Sequence, residues 1–428
     1  VSTPAVQRPW IPPGGLIAGF AAHGLSWLLL FFLVSRQSFG VDLSALAWVH
    51  LVALGWLTMI ALSVLVHVIP TFTEVPWKGE TFARGALGLY GLGVALLVAA
   101  FLKSAVWALP WSATLVLLGL VAYLIPAAWT LTAAITGQDR VAAVVARVLS
   151  ITLTSLLLAA ALGVALAYAL GGWLPLRLTT IGAPVHASLG VIGWLTTLVM
   201  GVSTRTVRPI SGTRSRWAFA HRTAGALEFV GMVGFILGIA LQAPAIVWAG
   251  FAVAFFGALV YIADVLDVLT RATVRHRPPQ AFLAAGMLWL LAGLASLAAA
   301  LAGFGSGAGA AAVYVLLVGW IGQMVNGHLY HIGIRLVATM VRGDEDETRP
   351  GELLNLPLSW ISFGLFQIAV ACGGLALVRS DAPLLRAAAL CGFTAWVAMA
   401  TNVVIAYRAA SRGRTPRSRV TIDLLSLE

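Results

Sequence analysis

The chain has 428 residues, 60% hydrophobic and 10% charged, with a mean hydropathy of +0.96 and a formal net charge of +11. Soluble domains average roughly 45–50% apolar and about 25% charged residues, so this sequence lacks the polar surface that a water-soluble fold needs. The only two cysteines, Cys372 and Cys391, sit in separate apolar runs and form neither CxxC nor CxxCH, which excludes a disulfide framework and covalent c-type haem attachment.

A helix rising about 1.5 Å per residue crosses the roughly 30 Å hydrocarbon core in about 20 residues. In chain order, apolar runs of that kind cover 14–35, 43–70, 83–102, 106–136, 143–171 and 181–203. Six more cover 220–241, 244–270, 279–303, 310–341, 354–378 and 383–408. Lipid leaves no partner for unpaired backbone groups, so each run must be a helix or a barrel strand. The runs show no two-residue alternation, which excludes a barrel. The expectation is an all-α polytopic membrane protein: residues 1–428 form one domain, with twelve transmembrane helices in one bundle.

Twelve crossings put both termini on one face. That face carries 21 of the 26 Lys and Arg residues, against 5 on the other. By the positive-inside rule both termini are cytoplasmic, and the expected location is the inner membrane of a prokaryote, among membrane lipids. The basic residues are spread over many short loops and form no module, so no nucleic-acid partner is expected. The N-terminal segment VSTPAVQRPWIPPGG lacks the pattern of a cleaved signal, so the first run is expected to stay in the membrane. Trp10, Trp77, Trp111 and Trp173 read as an interfacial belt, and Gly85, Gly88, Gly91 and Gly93 as a face for close helix packing. Asp264 and Asp267 are expected to face the cytoplasm, and the acidic run 344–347 to be a solvated loop.

Ionisable residues inside a bilayer are costly and point to function, so the eight histidines carry the information. His276 reads as a loop residue, and His221 as a partner for Glu228, seven residues later on the same helical face. His50 and His186 each fall a few residues into their helices, near the outer surface at similar depth. His67 lies 17 residues beyond His50, near the inner surface, while His23 and His328 fall near mid-membrane. His331 and Arg335 continue the His328 face inward, and Arg335 suits either a haem propionate or the lipid interface. Imidazoles at matched depth on neighbouring helices suit haem iron, and also copper or another metal.

The stretch His50-Leu-Val-Ala-Leu-Gly-Trp-Leu-Thr, running on to His67-Val-Ile-Pro70, resembles the second helix of the haem–copper oxidase superfamily. Asn326-Gly-His328-Leu-Tyr-His331-Ile-Gly is similar to that family's tenth-helix His-Gly-His-Leu motif. The resemblance is to nitric-oxide-reductase-like and short subunit-I-like members, and it implies His50 and His328 as axial ligands of a low-spin haem. Asn326 stands where the family's reactive-haem ligand would be, and the seventh run has no adjacent His pair. The resemblance therefore implies a relative without the binuclear centre.

The sequence leaves two axial pairings open. One is His50 with His328; the other is His50 with His186 for an outer haem, with His67 and His328 or His331 for an inner one. The expected function is that of a membrane protein binding one or two b-type haems, acting in electron transfer or in binding nitric oxide or oxygen. The expected electron partners are a soluble cupredoxin or cytochrome c, or a quinol, and an oligomer is compatible with the sequence. Two other readings stay open: a nitric oxide or oxygen reductase with His186, His221, His331 and Glu228 around one metal, and a transporter with a histidine-lined path. No residue is assigned a catalytic role.

Overall fold

The computed structural model describes residues 12–35, 42–217, 219–274, 278–305, 307–342 and 350–412. Trp10, His276 and the acidic run 344–347 lie outside the described residues. Twelve helices are long and apolar enough to cross a membrane, and no strand occurs among the described residues. They are α1 Pro13–Ser35, α2 Leu43–Thr73, α3 Glu80–Leu102, α4 Val106–Thr136, α5 Arg140–Leu170 and α6 Leu178–Ser211. There follow α7 Ala220–Ala240, α8 Pro244–Thr270, α9 Pro278–Leu301, α10 Gly307–Val341, α11 Leu356–Arg379 and α12 Ala382–Ser411. An even number of crossings places Pro13 and Ser411 on one face, called here the terminal face.

The helix ends follow local chemistry. Asp42, Asp139 and Asp381 each accept backbone N–H groups from the first turn of the helix they precede. Helix α6 runs eight residues past the expected end at 203, carrying Arg205 and Arg208 inside the helix, and stops where Gly212 turns to φ +69°. A hydropathy reading ends a span at its first charges, whereas the backbone goes on until a residue can adopt the left-handed conformation.

The packing repeats every four helices. Within each repeat the third and fourth helices pair closely, α3 with α4, α7 with α8 and α11 with α12. The fourth helix then packs on the first of the next repeat, α4 on α5, α8 on α9, and α12 back on α1, closing the bundle. The second helices α2, α6 and α10 meet at the centre. The α7–α8 contact shows what brings backbones together: a Cβ on Gly231 would lie 2.3 Å from Ala254 N, and one on Gly250 2.2 Å from Phe235 N. Of the glycine face expected in α3, Gly93 packs against the Val116 backbone and Gly91 against Met59, while Gly85 and Gly88 face open space.

The three central helices share a local distortion. Each widens into an eight-residue π-helical segment, Leu51–Thr58 in α2, Leu189–Thr196 in α6 and Val315–Gly322 in α10. A Gly-Trp pair occupies the same two positions in each: Gly55-Trp56, Gly193-Trp194 and Gly319-Trp320. The three indoles are almost wholly buried and form a ring. Trp194 Nε1 donates to Thr58 Oγ1 at 2.9 Å, and Trp320 Nε1 to Thr196 Oγ1 at 3.2 Å. The third position breaks the pattern, because Gly322 stands where the other repeats have threonine and Trp56 Nε1 has no acceptor among the described residues. His23 stacks on Trp56 instead, with ring centroids 3.6 Å apart and planes 4° from parallel. The bundle therefore has a quasi-threefold axis, and the tryptophan ring gives a common register for its three central helices.

Candidate functional site: a histidine pair between α2 and α6

The ring sorts the histidines by depth. His50 precedes Trp56 by six residues and His186 precedes Trp194 by eight, which puts them about 9 and 12 Å from the ring toward the face opposite the termini. His328 follows Trp320 by eight residues, about 12 Å toward the terminal face. His67 and His331 each follow their ring tryptophan by eleven residues, about 16 Å, and so share one level near that face.

His50 and His186 come together. Their ring centroids are 6.2 Å apart and their planes differ by 18°. Each Nδ1 lies on a backbone carbonyl, that of His50 at 2.7 Å from Leu46 O and that of His186 at 2.8 Å from Ala159 O. A carbonyl only accepts, so each Nδ1 carries its hydrogen and each Nε2 keeps its lone pair, the state in which imidazole binds a metal. A hydrogen bond from the other ring nitrogen to a carbonyl is also what fixes the ring orientation of metal-bound histidines.

The surroundings leave room on one side and close the other. Gly163 in α5 lies so close to His186 that a Cβ there would be 2.9 Å from its Cε1. Gly190, one turn beyond His186, has nothing within 4 Å of its Cβ position. Phe101, near the end of α3, packs on the His50 ring at 5.1 Å. The π-helical segment of α2 begins directly after His50 and that of α6 three residues after His186.

The other sequence candidates are placed elsewhere. His328 is about 21 Å from His50 along the bundle axis by residue count, and both its nitrogens are occupied. Its Nδ1 meets Met324 O at 2.6 Å and its Nε2 meets Thr206 Oγ1 at 2.7 Å. The structure thus joins His50 to His186 and keeps it from His328. His331 is half-buried and Arg335 is exposed. Among the described residues no three of His, Cys, Asp and Glu gather as a metal-ligating group.

The pairing expected between His221 and Glu228 gives way to two separate ones. His221 Nδ1 pairs with Asp264 of α8, whose other oxygen accepts the Ser215 hydroxyl. Asp264 is therefore buried instead of facing solvent, while Glu228 bonds to Thr197 of α6. Helical face alone suggested His221 with Glu228; the neighbouring helices supply nearer partners. Of the interfacial tryptophans, Trp111 and Trp173 are exposed and pack edge to face, whereas Trp77 is buried against Tyr123.

Sequence reasoning missed the carbonyl of Ala159, the space made by Gly163 and Gly190, and Thr206 as partner of His328. The only sequence signal for the register was the repeated Gly-Trp, whose third copy at 319–320 is followed by Ile-Gly in place of Leu-Thr. No protein-family model matches the chain, and no curated protein matches it.

Proposed function

We propose that the chain is a membrane b-type haem protein in which His50 and His186 would hold one haem b, serving electron transfer or the binding of a small gas such as nitric oxide or oxygen. The observation that carries this reading is the paired rings 6.2 Å apart, each with Nδ1 tied to a carbonyl. The Nε2 lone pairs, left available because each Nδ1 is bonded to a carbonyl, would hold the iron. Bound haem supplies one-electron redox chemistry. The protein's own residues orient the two imidazoles through Leu46 and Ala159, and leave space beside Gly190. With the termini in the cytoplasm, the pair lies in the outer half of the bilayer, within reach of a soluble cupredoxin or cytochrome outside. The resemblance of the second helix to haem–copper oxidases supports a haem at His50. The Asn326 substitution supports a protein without their binuclear centre.

The test is the visible spectrum of detergent-purified protein, oxidised and dithionite-reduced, with haem quantified per chain. Sharp reduced b-type bands are expected, abolished by His50→Ala and by His186→Ala but kept in His328→Ala. A featureless spectrum after haem-sufficient expression would refute the reading. Loss of the bands in His328→Ala with retention in His186→Ala would refute the pairing and restore the one implied by the oxidase resemblance.

A further inference from the structure

A second buried polar site lies against α6 on the other side of the tryptophan ring, and it stands independently of any haem. Glu228 of α7 is 3% exposed. It forms part of the wall of a pocket lined by helices α6 to α10, whose other walls are mostly apolar, including Met200, Met232, Phe251, Ala258 and Leu290. No Lys, Arg or His lines that pocket. The remaining polar wall residue is Thr196, whose hydroxyl oxygen already accepts Trp320 Nε1. His221, two turns away on α7, is engaged with Asp264.

Among the described residues the carboxyl group meets one polar partner. Thr197 Oγ1 lies 3.0 Å from Glu228 Oε1 and 3.1 Å from Oε2, and also 3.0 Å from the carbonyl oxygen of Ile192. A hydroxyl has one hydrogen to give and two lone pairs to receive with. If Glu228 is a carboxylate, that single hydrogen is all that stabilises a full charge in an apolar wall without a counter-ion. Such a charge costs many times what one hydrogen bond returns. If Glu228 is a carboxylic acid, its O–H donates to Thr197 Oγ1 and the Thr197 hydrogen goes on to Ile192 O. That carbonyl already accepts the Thr197 backbone N–H and has a second lone pair to offer. Two hydrogen bonds are then made in sequence and no charge is buried.

We propose that Glu228 is a proton-binding site: a neutral carboxylic acid in the pocket wall, about one turn from the tryptophan ring, whose one exchangeable proton is donated to Thr197. The proton is the ligand. Its release exposes an anion to apolar walls, so the site gives the proton up only when positive charge or a hydrogen-bond donor enters the pocket. Of the buried acids that the structure describes, Asp264 differs because His221 and Ser215 both meet it.

Infrared absorption of the detergent-purified protein tests this directly. At neutral pH the native protein is expected to show a carboxylic C=O band, shifted in deuterium oxide. Glu228→Gln, which keeps the shape of the side chain, should lose that band; Thr197→Val should keep it at a displaced frequency; Asp264→Asn should leave it unchanged. Native protein grown with carboxyl-13C glutamate should show the same band moved by the isotope, which assigns it to a glutamate without any substitution. A native spectrum whose carboxylic region is the same as that of Glu228→Gln, or is unmoved by labelled glutamate, overturns the proposal.

Discussion

Replacing Thr58 by valine probes the tryptophan ring with almost no change of shape. The substitution removes the acceptor of Trp194 Nε1, 2.9 Å away, and leaves a buried N–H with nothing to bond. In water-soluble cores an orphaned donor costs about 1–3 kcal/mol. Between membrane helices the measured worth of such a bond is smaller, about 0.6 kcal/mol on average and about 1.7 at most, because the separated helices also find partners. Thr58 joins α2 to α6 within the bundle centre, so the membrane range applies. The predicted coupling in a double-mutant cycle of Thr58→Val with Trp194→Phe is therefore about 0.6–1.7 kcal/mol, roughly a 3- to 20-fold change in the unfolding constant. The cycle also removes the effect of the smaller Phe ring, which a single substitution would not. Equilibrium unfolding by sodium dodecyl sulfate in mixed micelles, followed by far-ultraviolet circular dichroism, reads this difference. Trp56→Phe loses no hydrogen bond, because its Nε1 has no acceptor among the described residues, but it loses ring volume and part of the stack on His23. A coupling near zero would refute the hydrogen bond between Trp194 and Thr58 as a unit of the ring.

Two further predictions use the same unfolding measurement. Gly231→Leu should destabilise by about 3 kcal/mol or more, because its first carbon already meets the Ala254 backbone at 2.3 Å; Gly88→Ala, facing open space, should gain roughly 0.5–1 kcal/mol, and the reverse order would contradict the packing described. His221→Ala should cost about 3 kcal/mol by leaving Asp264 buried without its partner, and His221→Ala combined with Asp264→Ala should recover part of that loss; equal stability of the single and double variants would show that the pair is not coupled.

The span positions were legible because a bilayer imposes a length, and apolar runs of that length are plain in the sequence. The depths of His50 and His186 were legible for the same reason: both could be counted from the start of a span. The partner of His328 was not. Thr206 lies beyond residue 203, where hydropathy ended the sixth span, so the sequence placed it in a loop while the helix carries it to the histidine. The quasi-threefold axis was half visible in Gly-Trp-Leu-Thr at 55–58 and 193–196. Its third copy was hidden by the loss of the threonine, the same change that leaves Trp56 without an acceptor. The π-helical segments had no signature at all, because a helix that is apolar on every side carries no amphipathic period from which a change of winding could be read. His221 and Glu228 share a helical face, but which partner each takes depends on α8 and α6, and single-helix reasoning cannot reach across.

The closure of α12 onto α1 has a consequence for how the protein is made. Trp27 of α1 rests on Gly392, Trp396 donates to Phe20 O at 2.9 Å, and Arg386 reaches Val34 O at 3.3 Å. These contacts join residues up to 376 positions apart in the chain. At about 5–20 residues per second, α1 waits about 20 to 75 s in the membrane before the surface that covers it has been synthesised. During that interval α1 offers lipid a flank that bears Trp27 and the backbone carbonyls of Phe20 and Val34. Helices α1 and α12 thus form a seam that stays open until α12 has been made.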